Sequence, residues 1–213
     1  MPAGACWADA RLPADLAAVY GQMNRQTPFG HWSRIWEYPW VMCNARLDRP
    51  GLKVLDAGGG GACLQYHLRA AAGGQHVVNA DRDPGMLPAY DTGIDGVQAD
   101  LMALPFAAGA FDRVACVSVL EHTADPAAVV NELWRVLAPG GRLLLTLDVA
   151  NYARHNHPIS PPEAEVLCNG FGLPLPPMQD SAVGHMVYEE DPRQDEPVVY
   201  GILCLCLFAD KAA

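Results

Sequence analysis

Short apolar runs alternate with helix-forming stretches through the middle of the chain. Five runs of strand type lie at 52–57, 76–81, 96–99, 111–118 and 142–149. Helix-forming residues fill 62–72 and 126–137, and Pro84 opens a shorter helix between them. Because buried parallel strands are short, apolar and joined by helical crossovers, this pattern predicts a parallel α/β sheet with helices on both faces.

The first 50 residues follow a different pattern, which is aromatic and helical. They hold four of the five tryptophans, and helices are predicted at about 13–24 and 33–46, on either side of a break at 28–30. Trp32, Trp36 and Trp40 repeat along one helix stripe, so Arg34 and Glu37 between them are expected to face elsewhere. We therefore predict two parts: a helical, aromatic-rich cap or lid at 1–50 and an α/β domain at 51–213.

The last 60 or so residues carry the remaining structural signals. Six prolines between 158 and 177 leave room for one short helix near 161–169. Five acids and one arginine between 189 and 196 indicate a solvated loop. The apolar run at 198–208 is predicted to be the last strand of the sheet.

Composition excludes several classes of protein. The 213 residues are 51% hydrophobic and only 18% charged, which is not the composition of a disordered chain. The formal net charge of −10 argues against a nucleic-acid partner. We expect a cytoplasmic protein, since no apolar run is long enough to cross a membrane, no signal peptide is recognisable and the seven scattered cysteines do not suggest disulfides.

The strongest chemical signal is a glycine-rich turn, VLDAGGGGA at 54–62. Glycines at such a turn allow positive φ and let a ligand approach the backbone. A dinucleotide fingerprint would need a glycine where this chain has Cys63, and no Gly-Lys-Ser/Thr phosphate loop is present. Asp56, two residues before Gly58, would repel a pyrophosphate and attract an ammonium group.

Two further acids follow the next strands, Asp81 at the end of 76–81 and Asp100 just after 96–99. In a parallel sheet they lie with Asp56 at the carboxyl edge, where ligands bind. Asp81 suits the two hydroxyls of a ribose, and Asp100 suits an exocyclic amino group, with Leu101 packing on the base. Each acid alone is also explained as a helix cap or a loop charge. The three together predict a nucleoside ligand with a cationic tail and no phosphates.

At this point the chain resembles the class I S-adenosylmethionine-dependent methyltransferases, in the small-molecule group called the type 11 methyltransferase domain. Five motifs in order carry the resemblance: VLDAGGGGA at 54–62, VVNADRDPGML at 77–87, ADLMALPF at 99–106, FDRVACVSVLEH at 111–122 and LWRVLAPGGRL at 133–143. The resemblance implies a Rossmann-like, doubly wound sheet of seven strands, mostly parallel with an antiparallel last strand. It also implies S-adenosyl-L-methionine as cofactor.

The resemblance also implies roles for individual residues. Asp56, Gly58 and Gly60 would line the methionine end of the cofactor, and Asp81 would bind its ribose. The other positions implied by the motifs are Arg82 beside the adenine, Asp100 and Leu101 against the adenine, and Ser118 under the sulfonium. Gly59 departs from the family, where cysteine, serine or alanine is common.

Catalytic candidates are few, because a methyl sulfonium is already electrophilic and needs mainly an aligned nucleophile in a dry pocket. His122, after the fourth strand, and His31, in the aromatic segment, are the candidate bases. His122 is also explained as a residue that only shapes the pocket, and His31 as a half-exposed histidine packed among tryptophans. Arg34 is a candidate partner for the cofactor carboxylate, and no metal site is predicted.

The sequence therefore predicts a methyltransferase acting on a small molecule, with oxygen as the favoured acceptor and nitrogen or carbon as alternatives. Two other functions stay open: a different reaction of the same cofactor, such as cyclisation, elimination or rearrangement, and a non-catalytic homologue that only binds it. The acceptor molecule and the oligomeric state are not predicted.

Overall fold

The structure is a computed structural model, and it describes residues 3–8, 12–30, 33–88, 92–150, 159–177, 184–189 and 198–213. His31 and Trp32, which the sequence singled out, lie outside these residues. No helix among the described residues has the length and apolar character needed to cross a bilayer.

The core of the molecule is one mixed sheet. Its strands in chain order are β1 Ala3–Trp7, β2 Lys53–Ala57, β3 His76–Asp81, β4 Ile94–Gln98, β5 Phe111–Val117, β6 Leu137–Ala150, β7 Gly184–Glu189 and β8 Val198–Asp210. They lie in the order β1-β8-β6-β5-β2-β3-β4, with β7 also paired to β8. Strands β2 to β6 are parallel, whereas β8 is antiparallel to β6, β7 and β1. The predicted mostly parallel sheet with an antiparallel last strand is confirmed, and β1 adds an eighth strand to the seven that were predicted.

Helices cover both faces of the sheet, as the pattern of apolar residues predicted. They are α1 Ala14–Gln26, α2 Arg34–Asn44, α3 Leu64–Ala70, α4 Pro126–Val136 and α5 Pro161–Gly170, with single 3-10 turns at Ala71–Gly73, Pro84–Met86 and Leu120–His122. Helix α4 begins where Asp125 caps it by accepting from the Ala128 N–H at 2.9 Å. One apolar core contains residues of α4 and α5, and the other contains residues of α1, α2 and α3.

The N-terminal segment contributes a strand as well as helices, which the sequence did not predict. Strand β1 pairs antiparallel with β8, so that Cys6 lies opposite Cys206. Helices α1 and α2 then pack on the sheet, and Trp36 and Trp40 are both buried there. The division of the chain at residue 50 into a lid and a domain stays a prediction.

Candidate active site

The glycine turn joins β2 to α3 at the carboxyl edge of the sheet. Gly58 and Gly60 have φ of +71° and +52°, in the left-handed region that favours glycine. A Cβ atom on Gly58 would lie 2.7 Å from Val119, so the turn runs directly against the chain that follows β5. The Gly58 N–H donates to the Ala80 carbonyl at 2.7 Å and fixes the turn to β3.

Asp81 lies beside this turn, as the parallel sheet predicted. Its Oδ2 accepts from the Gly60 N–H at 3.1 Å, and its Oδ1 accepts from the Asp83 N–H at 2.9 Å. Asn79 completes the arrangement, since its Nδ2 donates to the Gly60 carbonyl at 2.7 Å. Side chains at the end of β3 therefore fix the position of Gly60. The glycine motif alone does not predict these contacts.

Asp56 is buried beneath the turn. Its Oδ2 has no hydrogen-bond partner in the described part of the chain. Burial raises the pKa of Asp56 to about 7; Arg34 opposes the shift, and Asp81 adds to it. A Cβ atom on Gly59 would overlap with Asp56 Oδ2, so the packing under the turn favours glycine at this position.

A cavity of about 510 Å³ opens beside the turn and reaches along the ends of β3, β4 and β5. Seven of the predicted site residues line it: Gly58, Asp81, Arg82, Asp100, Leu101, Ser118 and His122. Its volume is within the range of small-molecule sites. Asp56, Gly60 and Arg34 are not among the residues that line it, and they lie below or beside it.

Asp100 and His122 illustrate how these lining residues are held. Asp100 accepts from the Met102 N–H at 2.9 Å, so it also caps its own turn. His122 is exposed in the 3-10 turn after β5, where its N–H donates to the Val119 carbonyl at 2.9 Å. The cavity contact is compatible with either role that the sequence allowed for His122.

A buried charge network under α2 was not predicted. Glu37 is fully buried, and its carboxylate accepts from Ser118 Oγ at 2.6 Å, from Thr146 Oγ1 and from Arg34. Burial favours the neutral acid, but Arg34 and the two hydroxyls outweigh it, so the pKa of Glu37 lies below its ordinary value. No sequence pattern marked Glu37 except that it is an acid inside an aromatic helix.

Ser118 connects this network to the cavity. Its φ of +49° is rare for a residue with a side chain, and such strain persists where the surroundings enforce it. The Ser118 N–H donates to the Thr146 carbonyl at 2.9 Å, and its Oγ accepts from Arg34 Nη1 at 2.6 Å. Arg34 is therefore fixed at the ends of β5 and β6, next to the predicted methionine end.

Two more carboxyls lie at the ends of β5 and β6. Burial raises the pKa of Glu121 well above its ordinary range, with Asp148 adding to the shift. Burial likewise raises the pKa of Asp148 to about 7, with Glu37 adding and Arg34 opposing. The backbone N–H of Asp148 donates to Glu121 Oε1 at 3.4 Å. This end of the sheet thus holds more carboxyls than cations, which suits a cationic ligand.

Comparison with known proteins agrees with this geometry. Residues 55–145 match a family model described as a methyltransferase domain. A Thermus thermophilus demethylmenaquinone methyltransferase is 35% identical over 142 residues, or 62% of this chain and 62% of that protein. Over residues 55–145 the chain is therefore similar to a methyltransferase domain, and the methyl donor that its motifs imply is S-adenosylmethionine.

A second curated methyltransferase and a solved structure of the same fold are also similar to this chain. A ubiquinone/menaquinone biosynthesis C-methyltransferase of Idiomarina loihiensis is 37% identical over 141 residues, or 61% of this chain and 55% of that protein. The crystal structure of the Bacillus subtilis YcgJ protein shares the fold, with a TM-score of 0.63 at 15% identity over 83% of this chain and 98% of that one. The chain spans less than two thirds of the length of the two curated relatives.

The residues of this site fit S-adenosylmethionine. The unpartnered oxygen of Asp56, the two positive-φ glycines and the lined cavity together suit a nucleoside with a cationic tail. Within the described ranges, no group of three or more potential ligands could hold a metal ion. His31 lies outside those ranges.

Proposed function

We propose that the protein is an S-adenosylmethionine-dependent methyltransferase that acts on a small-molecule acceptor. The observation that carries the proposal is the cavity beside the glycine turn, because its lining residues come from the ends of four neighbouring strands, β5, β2, β3 and β4, and include seven predicted ones. The bound cofactor supplies an electrophilic methyl group. The protein's part is to hold that methyl group in line with a nucleophile and to exclude water.

The proposed cofactor contacts follow the strand ends. Asp81 would accept from the ribose hydroxyls, and Arg82, Asp100 and Leu101 would surround the adenine. Asp56, Gly58 and Gly60 would hold the methionine end, with Ser118 near the sulfonium. Arg34 would bind the cofactor carboxylate, a role supported by its hydrogen bond to Ser118.

The proposed acceptor is a ring carbon of a quinone-like aromatic compound. Two curated relatives support it, one named a demethylmenaquinone methyltransferase and the other a C-methyltransferase of ubiquinone and menaquinone biosynthesis. Oxygen, which the sequence favoured, stays the second candidate atom. His122 and His31 remain the proposed bases for an acceptor that must lose a proton.

Incubation with methyl-labelled S-adenosylmethionine and a panel of quinols, phenols and amines tests the proposal. Methyl transfer gives S-adenosylhomocysteine and a labelled product, whose NMR spectrum distinguishes a C-methyl from an O-methyl group. Release of methylthioadenosine would instead indicate cyclisation or elimination within the cofactor. If calorimetry detects no binding of S-adenosylmethionine, both methyl transfer and the other proposed reactions of this cofactor are ruled out.

A further inference from the structure

Two buried acceptor oxygens lie together beneath the glycine turn. Asp56 and Asn79 are directly paired on the neighbouring strands β2 and β3. The position of a Cβ atom on Gly59 would overlap with Asp56 Oδ2 and lie 2.9 Å from Asn79 Oδ1. Both oxygens are buried without a hydrogen-bond partner among the described residues. An ionised Asp56 would therefore place a carboxylate oxygen near an amide oxygen with no donor between them.

A flip of the Asn79 amide would not remove the unfavourable approach of the two acceptor oxygens. Asn79 Nδ2 donates to the Gly60 carbonyl at 2.7 Å, and the flipped amide would direct its oxygen at that carbonyl. Burying an unpaired polar oxygen costs free energy, and buried polar groups are almost always hydrogen-bonded. The simplest donor for Asn79 Oδ1 is a hydroxyl on a protonated Asp56.

We propose that Asp56 carries a proton in the cofactor-free protein and donates it in a hydrogen bond to Asn79 Oδ1, and that it releases this proton when the cationic methionine end of S-adenosylmethionine binds at the turn. The inference rests on the proposed function for the identity of the cofactor. In the step, the O–H bond of Asp56 breaks, its electron pair stays on the carboxylate, and the proton passes to the buffer.

The charges around Asp56 support this exchange. Five titratable groups act on it or respond to it from the elements packed around β2: Arg34 and Tyr38 of α2, Cys63 before α3, Asp81 of β3 and Cys116 of β5. Burial raises the pKa of the tyrosine and of both thiols, which are therefore neutral near neutral pH. Arg34 and Asp81 oppose one another, and burial holds the pKa of Asp56 at about 7. An added cation therefore decides whether Asp56 is ionised.

Asn79 thereby becomes a positioning residue for the turn. It binds the Gly60 carbonyl directly, and Gln65 Nε2 donates to the same carbonyl at 3.1 Å. The Gly60 N–H in turn donates to Asp81 Oδ2. Protonation of Asp56 completes the hydrogen bonds of Asn79, so the empty turn keeps the shape that the cofactor needs.

Calorimetry of S-adenosylmethionine binding in two buffers of different ionisation enthalpy tests the proposal. At about pH 7, where Asp56 is half-protonated, wild-type protein is expected to release about half a proton on binding. S-adenosylhomocysteine, which lacks the sulfonium charge, is expected to release less. Asp56→Asn keeps a donor toward Asn79 and is expected to bind more weakly, with no proton release and no change of affinity with pH.

Asp148→Asn is the matched control, since Asp148 is another buried carboxyl with a pKa of about 7. It is expected to retain the proton release. Binding without proton release, release that persists in Asp56→Asn, or release that disappears in Asp148→Asn would each overturn the inference and leave the proposed function intact.

Infrared spectroscopy tests the cofactor-free state independently of binding. Below pH 7, the wild-type minus Asp56→Asn difference spectrum of the cofactor-free protein is expected to show the carbonyl stretch of a protonated carboxylic acid. A carboxylate band in its place would overturn the inference. If S-adenosylmethionine does not bind at all, the proposed function fails, and this spectrum still decides the protonation of Asp56.

Discussion

Glu37 and Asp56 are both buried carboxyls, yet their pKa values shift in opposite directions. Glu37 receives hydrogen bonds from Arg34, Ser118 and Thr146, and its pKa falls despite burial. Asp56 Oδ2 receives none, and burial raises its pKa to about 7. At the scale of single residues, the donors that surround a buried acid decide its charge.

Replacing Glu37 tests the charge network. Glu37→Gln leaves Arg34 beside two hydroxyls without its counterion, and removing one partner of a buried ion pair costs about 3–5 kcal/mol. Because the Arg34 side chain is 25% exposed, we expect the free energy of unfolding in urea to fall by about 3 kcal/mol, the lower end of that range. Glu165→Gln, at an exposed position of α5, is the control and is expected to change little.

Asp81→Ala tests the ribose assignment. The variant removes a charged acceptor, and hydrogen bonds to charged groups contribute about 1.5–3 kcal/mol. We therefore expect calorimetry to show a loss of S-adenosylmethionine affinity of roughly 10- to 100-fold. Asp95→Ala, on the exposed part of β4, should leave the affinity unchanged. An unchanged affinity in Asp81→Ala would refute the assignment.

At the scale of elements, α2 is fixed to the sheet at both ends. Its first turn holds Glu37 against Ser118 and Thr146 at the carboxyl ends of β5 and β6. At its other end, Arg142 Nη1 donates to the Asn44 carbonyl at 2.8 Å, and Arg113 Nη2 donates to the carbonyl of Arg46 just beyond the helix at 3.0 Å. Arginines at a helix C-terminus satisfy its free carbonyls and its dipole. The position of α2 over the site is therefore set by the strands below it.

The glycine turn offers a matched pair of substitutions at this scale. Gly59→Ala would push a methyl group into Asp56 and Asn79, whereas a Cβ atom on Gly61 would meet nothing within 4 Å. We expect Gly59→Ala to lower the free energy of unfolding by about 1–3 kcal/mol, the usual cost of overpacking, and to weaken cofactor binding. Gly61→Ala should unfold and bind as wild type does. Equal behaviour of the two variants would contradict the close packing under the turn.

At the scale of the whole molecule, the net charge does not show where the carboxyls with shifted pKa values lie. The chain carries −10, yet Asp56, Glu121 and Asp148 gather at one edge of the sheet with pKa values raised by burial. Groups of this kind bind more protons in the folded than in the unfolded protein. Their contribution to stability is complete below the unfolded pKa and is lost as pH rises through the folded pKa.

Stability is therefore expected to fall as pH rises from about 5 to about 8, by up to about 1.4 kcal/mol per pH unit for each group that titrates. Urea unfolding at both pH values measures this fall. Burial lowers the pKa of His67, so the contribution of His67 to stability rises with pH. The pH dependence of the wild type therefore has to be compared with that of a variant that lacks one carboxyl. Asp148→Asn should show a shallower fall than wild type, and an identical slope would exclude Asp148 as a contributor.

Apolar runs and helix-start prolines predicted most of the fold, because each of these patterns lies within a few consecutive residues. The apolar runs gave the parallel strands, and Pro126 and Pro161 stand at the first positions of α4 and α5. The apolar run at 198–208 is the antiparallel strand β8, with β7 as its hairpin partner. Strand β1 escaped prediction because its five residues, AGACW, lack a strand pattern of their own and are ordered by pairing with β8.

The sequence by itself determined the sheet, the glycine turn and the acids at the strand ends, because periodicity and motif spacing are local properties. Only the tertiary structure decided that burial raises the pKa of Asp56, the acid beneath the turn. Glu37 and Asp148 are far apart in sequence, and no motif marks either of them. Burial and the donors that reach a carboxyl depend on strands brought together from distant parts of the chain, so proton affinity at this site is a property of the fold.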